Sequence, residues 1–162
     1  RRTVVGGSDL DDTEIDTHEV LDLNRRWFGQ VYRGEQVELA PAVNQIELHP
    51  SFTQASMRAV HQQLGIVTQS WSPLGKAQAQ YSAPAVAEAA LAHGVSPAQV
   101  IVRWHLELGC LPLPKSGDPA RQRENLSIFD FALTSQEVAA ISALDRPDGR
   151  LFGGDPDTHE EM

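Results

Sequence analysis

Apolar residues recur along the chain with two different periods, and the alternation between them predicts its elements. The runs Val43-Asn44-Gln45-Ile46-Glu47-Leu48, Ile66-Val67-Thr68-Gln69-Ser70-Trp71 and Leu111-Pro112-Leu113 are short and mostly apolar, the pattern of strands in a parallel sheet. Between and after them apolar positions fall three or four apart: Met57, Val60 and Leu64; Val100, Ile101, Trp104 and Leu108; Val138, Ile141 and Leu144. Each set lines one face of a helix. Residues 84–93 are alanine-rich and predict a further, closely packed helix. The order β-α-β-α-α-β-α-α is that of an α/β protein whose strands pair in parallel, in sequence order, through crossover helices.

Helix punctuation agrees with this reading. Ser51 with Gln54, Ser96 with Gln99 and Thr134 with Glu137 have the spacing of capping boxes, in which a hydroxyl accepts from an orphan backbone N–H and the amide or acid reaches back. Pro97 and Pro119 stand where a first helical residue tolerates a missing N–H, the latter behind Asp118 as a cap. Gly65, Gly94 and Gly109 are placed to end the preceding helices.

Residues 1–40 read differently. Asp9, Asp11, Asp12, Glu14, Asp16, Glu19 and Asp22 dominate a stretch with too little apolar content to fold alone. A calcium loop starting at Asp9 fails, because Glu14 stands where glycine is needed and Val20 where a bidentate Glu is needed. Leu23, Trp27, Phe28, Val31 and Tyr32 then predict an amphipathic helix over about 22–33. The expected organisation is a divergent segment, 1–40, followed by the α/β part, 41–162.

Composition narrows the functional classes. With 162 residues, 41% of them hydrophobic, the chain can form a core without staples. Its single cysteine, Cys110, excludes a disulfide-stapled scaffold. No apolar run reaches the ~20 residues of a membrane span, and residues 1–9 lack the apolar stretch of a signal peptide, so a cytoplasmic location is expected. The chain opens on Arg1 rather than methionine, which points to a processed chain or a fragment. Thirteen basic and twenty-two acidic residues leave a formal charge of -9, which repels nucleic acid and anionic membranes. An anion site therefore has to be a local cluster.

Such a cluster stands after the third strand. Pro114-Lys115-Ser116-Gly117-Asp118-Pro119 leads into a helix whose first turns carry Arg121, Glu124 and Asn125. A strand end, a helix N-terminus and two cations together make an anion pocket suited to a phosphate-bearing cofactor. Taken alone, Lys115 and Arg121 are solvated helix-entry charges, and Trp71 alone is an ordinary core aromatic; their joint placement at strand ends favours the cofactor. No nucleophile elbow, phosphate loop of the G-x-x-x-x-G-K-[ST] type, G-x-G-x-x-G or zinc-like cluster competes with it.

In Val43–Pro50, Trp71-Ser72-Pro73-Leu74-Gly75, Arg103-Trp104-His105-Leu106, Pro114-Lys115-Ser116, Glu124-Asn125 and Phe129-Asp130-Phe131 the sequence resembles the aldo-keto reductases, within their bacterial diketogluconate-reductase-like branch. The motifs keep the family's order and spacing over residues 41–162. The resemblance implies a partial (β/α) TIM-type barrel made of the last three parallel strands with their helices, and NADPH-dependent reduction of aldehydes and ketones to alcohols. By the same resemblance Gln45 bonds the nicotinamide amide, Trp71 stacks on its ring, and Ser72 and Leu74 line the pyrophosphate passage. Lys115, Ser116 and Arg121 hold the 2′-phosphate, and Glu124 and Asn125 contact the adenine. The implied partner is a small-molecule carbonyl substrate.

The family draws its catalytic Asp, Tyr, Lys and His from the first half of its barrel. Residues 1–40 show no match to that half, Tyr32 and Tyr81 stand at no matching position, and no catalytic residue is assigned. His49 and His105 are structural positions, with His105 expected to be a satisfied core histidine. Three expectations follow: the chain is the cofactor-binding part of an active reductase, a truncated, inactive NADPH-binding homologue, or a structural fragment whose acidic residues 9–22 serve as a partner-binding tail. Three barrel strands also leave two open edges, which invite self-association unless residues 1–40 cover them.

Overall fold

The computed structural model describes residues 41–76 and 80–151. The acidic stretch over 9–22 and the helix expected over 22–33 lie outside the described residues. Three strands, β1 (Val43–Glu47), β2 (Val67–Trp71) and β3 (Leu111–Pro112), form one sheet in the order β1-β2-β3. Both pairings are parallel, with Gln45 opposite Gln69, Gln69 opposite Leu111, and Glu47 opposite Trp71. The Leu113 N–H extends the last pairing by donating to the Ser70 carbonyl at 3.0 Å. The helices are α1 (Ala55–Leu64), α2 (Pro84–His93), α3 (Pro97–Glu107), α4 (Pro119–Leu126) and α5 (Ser135–Ser142).

Local chemistry explains most helix ends. The Ser96–Gln99 and Thr134–Glu137 boxes form with both bonds made, and Asp118 Oδ1 accepts the Ala120 N–H at 2.8 Å. Gly65, Gly94 and Gly109 all take positive φ. At Gly65 this reversal lets the Ile66 N–H donate to the His61 carbonyl at 2.8 Å, so the chain leaves α1 directly into β2.

The expected Ser51–Gln54 box does not form. Helix α1 starts later, behind Gln54, which sits in the left-handed region and makes no side-chain cap. Ser51 Oγ is buried with no hydrogen-bond partner among the described residues, and the backbone around it is held in another conformation by other bonds. The Ser51 carbonyl accepts the Arg146 N–H at 3.1 Å, Asp145 Oδ1 accepts the Thr53 N–H at 2.7 Å, and Gln54 Nε2 donates to the Glu47 carbonyl. The stripe expected on α1 is corrected as well: Leu64 is exposed, and His61 is buried instead. His61 reaches between the strands, 2.9 Å from Asn44 Nδ2 and 2.8 Å from Thr68 Oγ1. These polar partners, one on each neighbouring strand, make burial of the imidazole tolerable.

The main core joins Leu48, Val86, Ala89, Ala90, Val100, Ile101, Trp104, Leu133 and Ile141. Each large apolar side chain buried here contributes roughly 1.5–3 kcal/mol. The alanines of α2 let it lie close to α3. Trp104 Nε1–H donates to Ser142 Oγ at 3.0 Å, and Ser142 in turn donates to the Val138 carbonyl at 2.7 Å, so α3 is fixed to α5 by a hydrogen-bond chain as well as by packing.

Alternation along the strands separates two faces. Asn44, Thr68 and Ser70 belong to one face, while Val43, Gln45, Val67, Gln69, Trp71 and Leu111 share the other. On the second face Val43, Val67 and Leu111 are between 40% and 47% exposed, so the described residues do not bury it. Among the described residues the outer edges of β1 and β3 are unpaired. No single described helix is long and apolar enough to cross a membrane.

Candidate functional site

Parallel pairing brings the carboxyl ends of the strands to one end of the sheet, where ligands of α/β barrels bind. Gln45 lies on the exposed face of β1, and Trp71 closes β2 on the same face, one step further along the register. Gln45 is exposed and Trp71 half-buried. An amide and a flat aromatic thus stand as diagonal neighbours on one surface.

Beyond Trp71 the backbone turns sharply. Ser72, Gly75 and Lys76 have φ of 50°, 73° and 48°, and the Gly75 N–H closes the turn on the Ser72 carbonyl at 2.9 Å. Left-handed geometry at the non-glycine positions costs about 1–2 kcal/mol each, so the surroundings must hold it. Two contacts do so. Leu74 packs against the main core, and His105 Nε2 lies 3.1 Å from the Pro73 carbonyl oxygen. A carbonyl only accepts, so Nε2 carries the proton. His105 is fully buried, and burial pushes its pKa down to about 3, outweighing the bond to Pro73 that raises it. Its Nδ1 has no hydrogen-bond partner among the described residues. The expectation of a satisfied core histidine is therefore met at one nitrogen only.

After β3, Lys115 is exposed and Ser116 half-buried. Ser116 Oγ accepts the Asp118 N–H at 3.1 Å, and Gln122 Nε2 donates to the Ser116 carbonyl at 2.8 Å. These bonds fix the entry to α4. Arg121 extends into solvent with its Nε 3.9 Å from Asp118 Oδ2, too long and too exposed to hold the side chain firmly. Glu124 and Asn125 are half-buried on the next turn. The cations and the helix N-terminus fit a phosphate, and the half-buried carboxylate and amide beyond them offer acceptors and a donor for a base edge.

The β2 loop and α4 come together at Tyr81, which sequence reasoning set aside. Burial raises the pKa of its phenol above the ordinary 10, Arg121 lowers it and Glu124 raises it. Both helix charges therefore act on this loop residue. The only sequence signal was an aromatic between two strand-end motifs. At the end of β1, Glu47 and His49 form a buried contact whose partners carry no local sequence signal. Glu47 is buried, and its Oε1 accepts His49 Nε2–H at 3.0 Å and the Leu151 N–H at 2.6 Å. Burial lowers the His49 pKa against the pull of Glu47, so this contact is a hydrogen bond from a neutral imidazole rather than an ion pair. Cys110 is buried and its thiol pKa is raised by burial, which makes it inert. Among the described residues no cluster of His, Cys, Asp and Glu could hold a metal ion.

Comparison with known proteins agrees with the geometry. The model of the aldo/keto reductase family matches residues 29–146. The 2,5-diketo-D-gluconic acid reductase B of Corynebacterium sp. (strain SHS752001) is 54% identical over 128 residues, covering 79% of this chain and 46% of that protein. A crystal structure of a Gox0644 mutant in complex with NADPH matches with a TM-score of 0.71 at 38% identity, over 91% of this chain and 50% of the other. The Bombyx mori aldo-keto reductase in complex with NADP matches with a TM-score of 0.63 at 33% identity, over 68% of this chain and 39% of the other. The chain spans about half the length of the curated relatives it matches. Three parallel strands with their helices, carrying the strand-end motifs in order and matched by the family model, make this chain a member of the aldo/keto reductase family with the fold of a partial TIM-type barrel.

Proposed function

We propose that the chain is the NADPH-binding part of an oxidoreductase that reduces small aldehydes or ketones to alcohols. What carries this proposal is the convergence, at one end of a parallel sheet, of a flat aromatic, a strained turn and a cationic helix entry. NADPH, when bound, supplies the hydride. Trp71 offers a face for the nicotinamide ring and Gln45 an amide to orient it. Ser72 and Leu74 line the pyrophosphate passage. Lys115, Ser116 and Arg121 hold the 2′-phosphate through charge-assisted bonds, and Glu124 and Asn125 contact the adenine. The NADPH-bound relative described above supports this assignment. A cytoplasmic location is part of the proposal, supported by the free thiol of Cys110.

A second reading, an NADPH-binding homologue without catalysis, draws on Tyr81. Its phenol pKa is raised by burial, whereas a tyrosine that donates a proton near neutral pH needs it lowered. No described residue is assigned as the proton donor.

Fluorescence titration with NADPH and NADH tests the binding proposal. A charge-assisted bond contributes roughly 1.5–3 kcal/mol, and the exposure of Arg121 puts its share at the lower end, about tenfold in affinity. NADPH should bind more tightly than NADH, Arg121→Ala should lose about tenfold for NADPH with little change for NADH, and added salt should weaken NADPH more. Equal affinity for both cofactors overturns the assignment of Lys115 and Arg121. Carbonyl-dependent NADPH oxidation by the purified chain favours the enzyme, and binding without turnover favours the second reading.

A further inference from the structure

We propose that His105 is a positioning residue for the cofactor passage: from the buried face of α3 it holds, through the Pro73 carbonyl, the turn that carries Ser72 and Leu74. The inference rests on the NADPH proposal above. The turn has unfavourable φ at Ser72 and Lys76, and its own closing bond, from Gly75 to Ser72, is local. A local bond restrains the shape of a turn but not its place relative to the sheet and α4. Pro73 is buried, and its carbonyl, which needs a donor when removed from water, receives one from a residue 32 positions away. The donor is mounted on a rigid base. His105 is fully buried in α3, next to Trp104, whose ring lies 4.8 Å away and whose indole is itself fixed to α5.

A second feature separates this role from simple core filling. A buried imidazole with one nitrogen unpartnered is a poorer core side chain than leucine, since an unmet polar group costs free energy that an apolar one does not. Its single bond goes to the strained turn and to no other described residue. Ser72 and Leu74 lie on either side of Pro73, so a shift of this carbonyl moves both. The pyrophosphate is common to NADPH and NADH, which sets apart this effect from that of Arg121.

The test uses the whole chain with His105→Leu, His105→Asn and His105→Gln. Leucine removes the donor, asparagine keeps an amide too short to reach Pro73, and glutamine restores a donor at nearly the original distance. Two readouts are taken: fluorescence titration with NADPH and with NADH, and backbone hydrogen exchange over 72–76 compared with α2 and α3. Leucine and asparagine should weaken both cofactors by the same factor, about tenfold for one lost bond. The NADPH-to-NADH ratio should stay unchanged, and glutamine should recover most of the loss. Exchange over 72–76 should quicken in the leucine and asparagine variants while α2 and α3 keep their protection. Wild-type affinity in the asparagine variant, no recovery with glutamine, or a changed ratio overturns the proposal. If the leucine variant does not fold, the asparagine and glutamine pair carries the same comparison. If the wild-type chain binds neither cofactor, the NADPH proposal fails by itself, and unchanged exchange over 72–76 in the asparagine variant overturns the positioning role separately.

Discussion

Replacing Glu47 perturbs a buried carboxylate that ties the end of β1 to a segment 104 residues away. One oxygen, Oε1, accepts both His49 Nε2–H at 3.0 Å and the Leu151 N–H at 2.6 Å, and the side chain is 6% exposed. In Glu47→Gln an amide oxygen can still take both bonds, but the charge is gone. A bond to a charged group contributes about 1.5–3 kcal/mol and a neutral one about 0.5–1.5 kcal/mol, so two weakened bonds cost about 2 kcal/mol. Relief of burying a charge reduces that loss. In Glu47→Ala both donors lose their acceptor, each at a cost of about 1–3 kcal/mol, for a total of about 2–6 kcal/mol. This is a large fraction of the 5–15 kcal/mol typical of a domain. Urea unfolding followed by circular dichroism at neutral pH should give the order Ala, then Gln, then wild type in rising stability, with unchanged m-values. Hydrogen exchange should show the Leu151 amide opening in the alanine variant. Equal stability of the two variants, or an unaltered Leu151 amide, would refute the account.

Four further outcomes follow from the same physics. Thr134→Ala removes the Oγ1 acceptor that caps Glu137 at 3.2 Å and should cost about 1 kcal/mol, lowering Tm by about 2–4 °C; an unchanged Tm in calorimetry speaks against the box. Gly94→Ala meets no atom within 4 Å but keeps φ at +66°, so its cost should be conformational only, about 1 kcal/mol by urea titration. His49, His61 and His105 all have pKa values lowered from 6.5 by burial. Their stabilising effect is complete above 6.5 and declines as pH falls toward the folded values, about 3 for His105, by up to about 1.4 kcal/mol per pH unit per histidine; a urea midpoint that stays flat from neutral pH down to about pH 4 contradicts this. Spectrophotometric titration of Tyr81, isolated by difference against Tyr81→Phe, should give a pKa above 10 that rises further in Arg121→Ala and falls in Glu124→Gln; insensitivity to both would separate the β2 loop from α4.

Much of the architecture was legible because it is written in neighbouring residues. A strand shows as a short apolar run, a helix as a stripe, and a cap as two residues three apart, so β1, β2, β3 and the Ser96 and Thr134 boxes are visible in the sequence alone. The strand-end motifs of the cofactor site were legible for the same reason, and parallel order alone places them at one end of the sheet. Ser51 and Gln54 have the same local pattern as the other boxes, yet the Arg146 N–H holds the Ser51 backbone carbonyl, the Gln54 amide donates to the Glu47 carbonyl, and Ser51 Oγ is left without a cap bond. Leu64 has the spacing of a core residue, yet His61 is buried because Asn44 and Thr68 supply its hydrogen bonds. Tyr81 beside α4, His105 on Pro73, and Glu47 on Leu151 leave no periodic trace either. Their partners lie 32 to 104 residues away, and a hydrogen bond or a charge acts through distance in space, which only the folded chain determines.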